Sequence, residues 1–346
     1  MAGRVTIKDV AREADVSIKT VSNVLNDTGS MRPETRRRVE ETMRRLGYTV
    51  NVSARAMRGR GTRLIGLGIF GFSQPFAPYL ADVVIEHAKQ RQYGVIINTY
   101  GAGGERVAGI VDDIYRLGAD GWLFFTERPL RGEGEVLEQP YPVVLLGDYL
   151  SYGKSDWVTM PNAQAMENVV DRLLDGGCSC IALLGAPQAS LDVAMAADEG
   201  TEMLRMQGYV SSLRSHGVEI DMRMVRPLTS MGSDGGVRAV DEMLDEGIRP
   251  DAVVCMTDAV ALGALHELQR RGLRVPEDVQ VVGFDNVPEA RYAVPSLTTV
   301  DPHIVDYGRK AVDMLIGRIE GYEGPARTYH SMCTLVERAS TLPLAR

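Results

Sequence analysis

Three groups of residues in this chain of 346 have types and spacings that could do chemistry. The first is a polar run near the N-terminus, Ile18, Lys19, Ser22 and Asn23. A lysine and an asparagine on one helix face can read base edges, and asparagine pairs most naturally with adenine. The second is a scattered set, Asp148, Arg205, Asp258 and Asp285, each at the end of an apolar run or near the start of a helix. Carboxylates accept from sugar hydroxyls and a guanidinium forks two oxygens at once, so the four could form a hydroxyl-binding set. Helix N-capping is the alternative for Asp258 and Asp285. Phe76, Tyr79, Trp157 and Phe284 could stack on a sugar ring or pack in a core. The third is Gly66-Leu67-Gly68-Ile69-Phe70-Gly71, which matches the G-x-G-x-x-G dinucleotide fingerprint. That fingerprint needs a full strand before it and a helix opening at its last glycine. Only Leu64 and Ile65 precede it here, and the run from Ser73 to Pro78 reads as non-helical, so the match is a coincidence and no cofactor is expected.

Catalysis finds little support in the same residues. A hydrolase would need a nucleophile with its base, yet there is no G-x-S-x-G elbow and no metal-spaced pair among five histidines. We expect binding rather than an enzyme. The four cysteines, Cys178, Cys180, Cys255 and Cys333, are too sparse for a disulfide framework and read as buried free thiols.

The elements that must position these groups fall into two grammars. Residues 6–46 read as three short helices. Thr6 is a candidate N-cap ahead of the stripe Ile7, Val10, Ala11 and Ala14. A tight connection leads to Ser17, which caps a second helix that buries Val21, Val24 and Leu25 and leaves the polar run on its solvent face. Pro33 opens a third helix that carries Val39, Met43 and Leu46 inward until Gly47 stops it. Two helices joined by a short turn, the second presenting short side chains, suit the major groove of DNA. A small helical cap with a charged surface would look similar. From Leu64 onward apolar runs alternate with amphipathic helices, among them Arg106–Leu117. Such alternation means parallel sheets covered on both faces. About ten such strands exceed one comfortable sheet, so two α/β subdomains are expected, with ligands beyond the carboxyl ends of the strands.

Charge divides the chain at the same place. Residues 1–63 hold 14 lysines and arginines against 7 acidic residues, while the remainder carries −15, for a total of −8. A basic head on an acidic body implies that only the head meets a polyanion. No apolar stretch approaches the roughly 20 residues of a membrane span, and the N-terminus lacks the apolar core of a secretory signal. A cytoplasmic protein with no membrane partner is expected.

The run Thr6-Ile7-Lys8-Asp9-Val10-Ala11-Arg12-Glu13-Ala14, followed by Val16-Ser17, Thr20-Val21-Ser22 and Val24-Leu25-Asn26, resembles the DNA-binding head of the lactose repressor/galactose repressor family. So do Leu46-Gly47-Tyr48 and Asn51 with Ala54-Arg55. Val282-Gly283-Phe284-Asp285-Asn286, Pro295-Ser296-Leu297-Thr298-Thr299-Val300 and Leu335-Val336-Glu337-Arg338-Ala339-Ser340-Thr341 are similar to that family's effector domain. The resemblance covers nearly the whole chain. It implies a helix-turn-helix head (1–48), a hinge helix that orders on operator DNA (49–62), and a bilobed effector and dimerisation domain (63–346). That domain would be like the periplasmic sugar-binding proteins, with two doubly wound parallel sheets. Three crossings between lobes, near Pro161, Pro288 and Tyr322, would give an N-lobe of 63–161 and 289–322 and a C-lobe of 162–288 and 323–346.

By the same resemblance the DNA contacts would be Thr6, Ser17, Ile18, Lys19, Thr20, Ser22, Asn23, Asn26, Asn51, Ala54, Arg55 and Met57. The effector contacts would be Phe76, Asp148, Arg205, Asp258 and Asp285. The implied partners are double-stranded operator DNA, a small-molecule effector of carbohydrate type and a second copy of the chain, with the protein on the nucleoid when bound to DNA. Several positions depart from the family pattern: Val50 replaces the usual proline, Met57 the leucine that wedges into the minor groove, Asn23 an arginine, Arg32 a serine cap and Thr257 an asparagine. Met57 is still apolar and long enough to unstack a base step. No leucine-heptad tail follows Arg346, which favours a dimer over a tail-linked tetramer. Two other readings remain: a stand-alone solute-binding protein, and the NAD enzyme that the glycine run alone would suggest.

Overall fold

The computed structural model describes residues 5–25, 29, 31–48, 61–100, 117–126, 129–130 and 137–344, and divides the chain into two units, Met1–Thr62 and Arg63–Arg346. In the first unit, helix α1 (Ile7–Glu13) begins at a reciprocal cap. The Thr6 hydroxyl accepts from the Asp9 N–H at 3.4 Å while the Asp9 carboxylate accepts from the Thr6 N–H at 3.0 Å. Helix α1 ends in a turn where Asp15 takes a left-handed conformation (φ 50°), Val16 N–H reaches Ala11 O and Asp15 N–H reaches Arg12 O. This pairing satisfies the last carbonyls and turns the chain sharply into α2 (Ile18–Leu25). Helix α3 (Pro33–Leu46) starts at Pro33 and stops at left-handed Gly47. Val10, Ala11, Ala14, Val21, Val24 and Val39 form the core of this unit. Thr42 is buried as well, whereas Met43 and Leu46 are only partly so. An ion pair of 2.8 Å between Arg45 and Glu13 ties α3 to α1.

The second unit runs β1 (Leu64–Ile69), α4 (Phe76–Gln90), β2 (Gly94–Thr99), β3 (Trp122–Phe125), β4 (Val143–Leu146) and β5 (Asp156–Thr159). It continues with α5 (Asn162–Asp175), β6 (Ile181–Ala186), α6 (Leu191–Met195), α7 (Thr201–Ser215), β7 (Val225–Pro227), α8 (Ser233–Asp245) and β8 (Ala252–Cys255). The last elements are α9 (Asp258–Arg270), β9 (Gln280–Phe284), α10 (Pro288–Tyr292), β10 (Thr298–Asp301), α11 (Ile304–Ile319), β11 (Thr328–His330) and β12 (Thr334–Val336). One six-stranded sheet has the order β11-β5-β4-β3-β1-β2 and the other β12-β10-β9-β8-β6-β7. Every pairing is parallel except that of β10 with β12. The central strands are buried along their length, which is why they read as continuous apolar runs. Helices pack closely where glycine permits: a methyl group at Gly263 would lie 1.9 Å from the Ser233 carbonyl oxygen, and one at Gly208 2.0 Å from that of Ala163.

Four expectations need correction. The chain crosses between the sheets after β5, near Pro161, but the second crossing follows β10, at Pro302–His303, rather than Pro288. Thr298–Asp301 pairs in register with Val282–Phe284, which keeps it in the second sheet. The third crossing falls at Ser331–Cys333 rather than Tyr322, because β11 pairs with β5. Arg318 and Arg327 hold that arrangement through the buried Asp156 carboxylate, at 2.8 and 2.5 Å. Helix α4 begins at Phe76 and runs through Pro78, where the sequence reads as non-helical; a proline in the first turn forfeits no hydrogen bond. Cys178 and Cys255 are buried free thiols, but Cys180 and Cys333 are only partly buried. Apart from Leu117, the helix expected over Arg106–Leu117 lies outside the described residues. No helix among the described residues is long and apolar enough to cross a membrane.

Candidate functional site

In the first unit the exposed face of α2 carries Ser17, Ile18 and Lys19, with Thr20, Ser22 and Asn23 half-buried beside them. Ser17 serves the helix start: its Oγ accepts from the Thr20 N–H at 3.0 Å and lies 2.9 Å from the Thr20 hydroxyl. Ile18 is 47% exposed although it is a large apolar side chain. An exposed isoleucine between a lysine and short polar groups makes a face suited to base edges and thymine methyls. Thr6 is likewise engaged, as the cap of α1. Asn26, Asn51, Ala54, Arg55 and Met57 lie outside the described residues.

In the second unit a cavity of about 370 Å³ opens where the carboxyl ends of the two sheets face each other. Phe76, Asp148, Arg205 and Asp285 all line it. Arg205, on α7, is 3% exposed, and its guanidinium lies 3.3 Å above the Phe284 ring centroid. Its Nε donates to Asn162 Oδ1 at 2.7 Å, one Nη1 proton goes to Met256 O, and Nη2 points at Met160 Sδ at 3.9 Å. A guanidinium has five N–H donors, and two of them have no partner among the described residues. Asp148 joins the lobes: one oxygen accepts from Thr159 on β5 at 3.0 Å and the other from Thr201, the first residue of α7, at 2.5 Å. Asp285 follows β9 with φ 121°, a conformation that few non-glycine residues adopt. Such strain costs on the order of 1–3 kcal/mol and gathers at functional sites. Burial pushes the Asp285 carboxyl well above the usual carboxylate range, against the pull of the Arg205 charge. Burial likewise raises Glu202, another cavity residue.

Asp258 is not among the lining residues. Its Oδ2 accepts from the Val287 N–H at 2.9 Å and its Oδ1 from the Thr299 hydroxyl at 2.5 Å, so it braces the loop after β9 against β10. Nor is it the helix cap. Thr257 caps α9, its Oγ1 accepting from the Val260 N–H at 3.2 Å. Of the aromatics, Phe284 is buried under Arg205, and the partly buried Trp157 donates to Gly147 O at 2.7 Å. Tyr79 packs against the core. Sequence reasoning missed Phe70, Phe125 and Thr126, which line the cavity at the ends of β1 and β3, and Thr201 and Glu202 at the start of α7. The rule that ligands bind beyond strand carboxyl ends would have pointed to the first three.

Residues 6–51 match the model for bacterial regulatory proteins of the lacI family, and residues 170–341 the periplasmic binding protein-like domain. A LacI-type transcription regulator from Bifidobacterium animalis subsp. lactis DSM 10140 is 54% identical over 81% of this chain and all of its own, with a TM-score of 0.78. The chain belongs to the lacI family of bacterial regulatory proteins. Two further members are similar over nearly the full length. The cellobiose complex of the regulator CelR is 28% identical over 97% of this chain and 100% of its own, with a TM-score of 0.71. The lac repressor dimer bound to operator and the anti-inducer ONPF is 25% identical over 99% and 100%, with a TM-score of 0.81. LacI-family membership over head and body makes the chain a DNA-binding transcriptional regulator rather than a stand-alone solute-binding protein.

Proposed function

We propose that this regulator is a repressor of carbohydrate-related genes, a cytoplasmic homodimer that holds a palindromic operator through its helix-turn-helix heads and hinges. A neutral sugar in the cavity sets its grip on DNA, and the protein joins the nucleoid when bound. The observation that carries the ligand class is the cavity's charge. Asp148, Glu202 and Asp285 surround the guanidinium of Arg205, the one basic side chain among the described lining residues. A phosphate ester would place a dianion among three carboxyl groups with one guanidinium to balance it, whereas hydroxyls can bond the carboxyl oxygens and accept from the guanidinium protons. The size falls within the roughly 300–1,000 Å³ of small-molecule sites. Asp148 and Arg205 are held by neighbouring side chains in an orientation for binding, and the role assigned is recognition without catalysis. The division of labour follows from charge, with affinity for phosphate in the basic head alone.

The test is a gel-shift of the full chain on its own upstream DNA, with and without a panel of neutral sugars and their phosphates. A shift altered by a neutral sugar and indifferent to its phosphate supports the proposal. A response to the phosphate alone refutes the ligand class, and a fragment from Arg63 onward that still shifts DNA refutes the assignment of the head.

A further inference from the structure

Thr126 follows β3 directly and lines the cavity on the wall made by the first sheet, whereas Arg205 and Asp285 belong to the second. Its backbone is engaged, the N–H donating to Leu146 O at 3.3 Å. Its side chain is not. Thr126 is 5% exposed, and its Oγ1 is shielded from solvent with no hydrogen-bond partner among the described residues. Two other threonine hydroxyls of the cavity wall differ: Thr201 donates to Asp148, and Thr257 donates to Met231 O at 3.2 Å. A buried hydroxyl without a partner is unfavourable, and such groups are rare enough in native proteins to need a reason.

Around Thr126 the wall is aromatic. Phe125 lies with ring centroids 5.6 Å from Phe70 and 5.5 Å from Phe76, and all three line the cavity. Pockets of this kind, apolar with a few placed polar groups, fix a ligand's orientation through those groups.

We propose that Thr126 is a specificity residue of this cavity, its hydroxyl bonding one hydroxyl of the bound sugar on the first-sheet wall. The inference rests on the carbohydrate reading above. A turn of χ1 from one staggered well to another changes the direction of the hydroxyl without moving the backbone. The three phenyl groups meet the C–H surface of the sugar ring, and Thr126 reads the hydroxyl at its edge. Closing the lobes on a ligand then satisfies a hydroxyl that has no partner among the described residues.

The experiment compares full-length wild type, Thr126→Val and Thr126→Ser. Each is titrated calorimetrically with neutral mono- and disaccharides including ribose and cellobiose, then with deoxy analogues of whichever sugar binds wild type. Valine keeps the shape and removes only the hydroxyl, so affinity should fall roughly two- to tenfold, while Thr126→Ser should bind like wild type. One deoxy analogue should bind wild type and Thr126→Val equally, because the two changes remove the same hydrogen bond. Without ligand, Thr126→Val should melt no lower than wild type, since no native bond is lost. Equal affinity of Thr126→Val and wild type for the sugar, or a clear loss of melting temperature in ligand-free Thr126→Val, overturns the assignment of Thr126 alone. Failure of wild type to bind any neutral sugar overturns the carbohydrate reading, and this inference with it.

Discussion

Asp258 and Asp285 stand close together in the fold, and replacing Asp258 with asparagine separates their roles. Asp258 is fully buried with both oxygens occupied, and burial pushes its carboxyl from the usual 3.8 up to about 6. The folded protein therefore holds a proton that the unfolded chain has already released. Stability from this group is complete below about pH 4 and is lost as pH rises through about 6. A rise of about two units, at about 1.4 kcal/mol each, amounts to about 3 kcal/mol. Asparagine has nearly the same shape and cannot ionise. Its oxygen can accept from the Val287 N–H and its amide can donate to the Thr299 oxygen, so both contacts survive. Relative to wild type, Asp258→Asn should thus gain about 3 kcal/mol between about pH 3 and pH 7.5. Urea unfolding of the full chain, followed by circular dichroism in half-unit pH steps, measures the difference directly. Its effector titration at neutral pH should match wild type. Parallel stability profiles, or a folded variant that no longer responds to effector, would refute the brace reading and return Asp258 to the ligand.

Asp285→Ala should fold and bind operator yet need roughly ten- to a hundredfold more effector, the cost of one charge-assisted contact; an unchanged midpoint in an operator titration would make Asp285 a structural residue. Were the effector a corepressor, the same variant would bind operator weakly at every dose. Asn23→Ala should relax the preference at one base pair by about 1–3 kcal/mol, and equal weakening on scrambled sites would mean that Asn23 only positions the backbone. Thr6→Ala removes the reciprocal cap of α1 and should lower head stability by about 1 kcal/mol, read as the thermal midpoint of a 1–62 fragment; an unmoved midpoint would show the cap to be idle.

The head was legible because its signals are local. Thr6, Pro33 and Gly47 mark helix ends by backbone chemistry, and Val10, Ala11 and Ala14 repeat with the helical period. The central strands were legible because burial on both faces leaves nothing but apolar residues. Strand membership was not legible. Whether Thr298–Asp301 joins the first or the second sheet depends on pairing with a strand made earlier, and no short-range pattern encodes it. β11 and β12 escaped for another reason: each is three residues long, and with Thr328 and His330 exposed in β11 and none of β12 fully buried, neither makes an apolar run. In the site, Arg205 and Asp285 were found through charge, while Phe70, Phe125 and Thr126 read as strand ends. An aromatic side chain at the rim of a cavity has the same composition signature as one in the core.

The crossings of the chain between its two sheets have a consequence for biosynthesis. The first sheet is complete only when β11 reaches its place beside β5, and α11 packs against the same lobe. Between Thr159 and Ile304 the ribosome makes almost the whole of the other lobe, which takes on the order of 7–30 s at usual elongation rates. Throughout that interval the first lobe waits with the β5 edge unpaired and part of its apolar surface uncovered. The head, whose core of Val10, Ala11, Ala14, Val21, Val24 and Val39 comes from its own three helices, can fold as soon as it emerges, but neither lobe can be finished by itself. Truncations within the effector body should therefore yield aggregation-prone chains rather than a working half, and both lobes should be completed only near the end of synthesis.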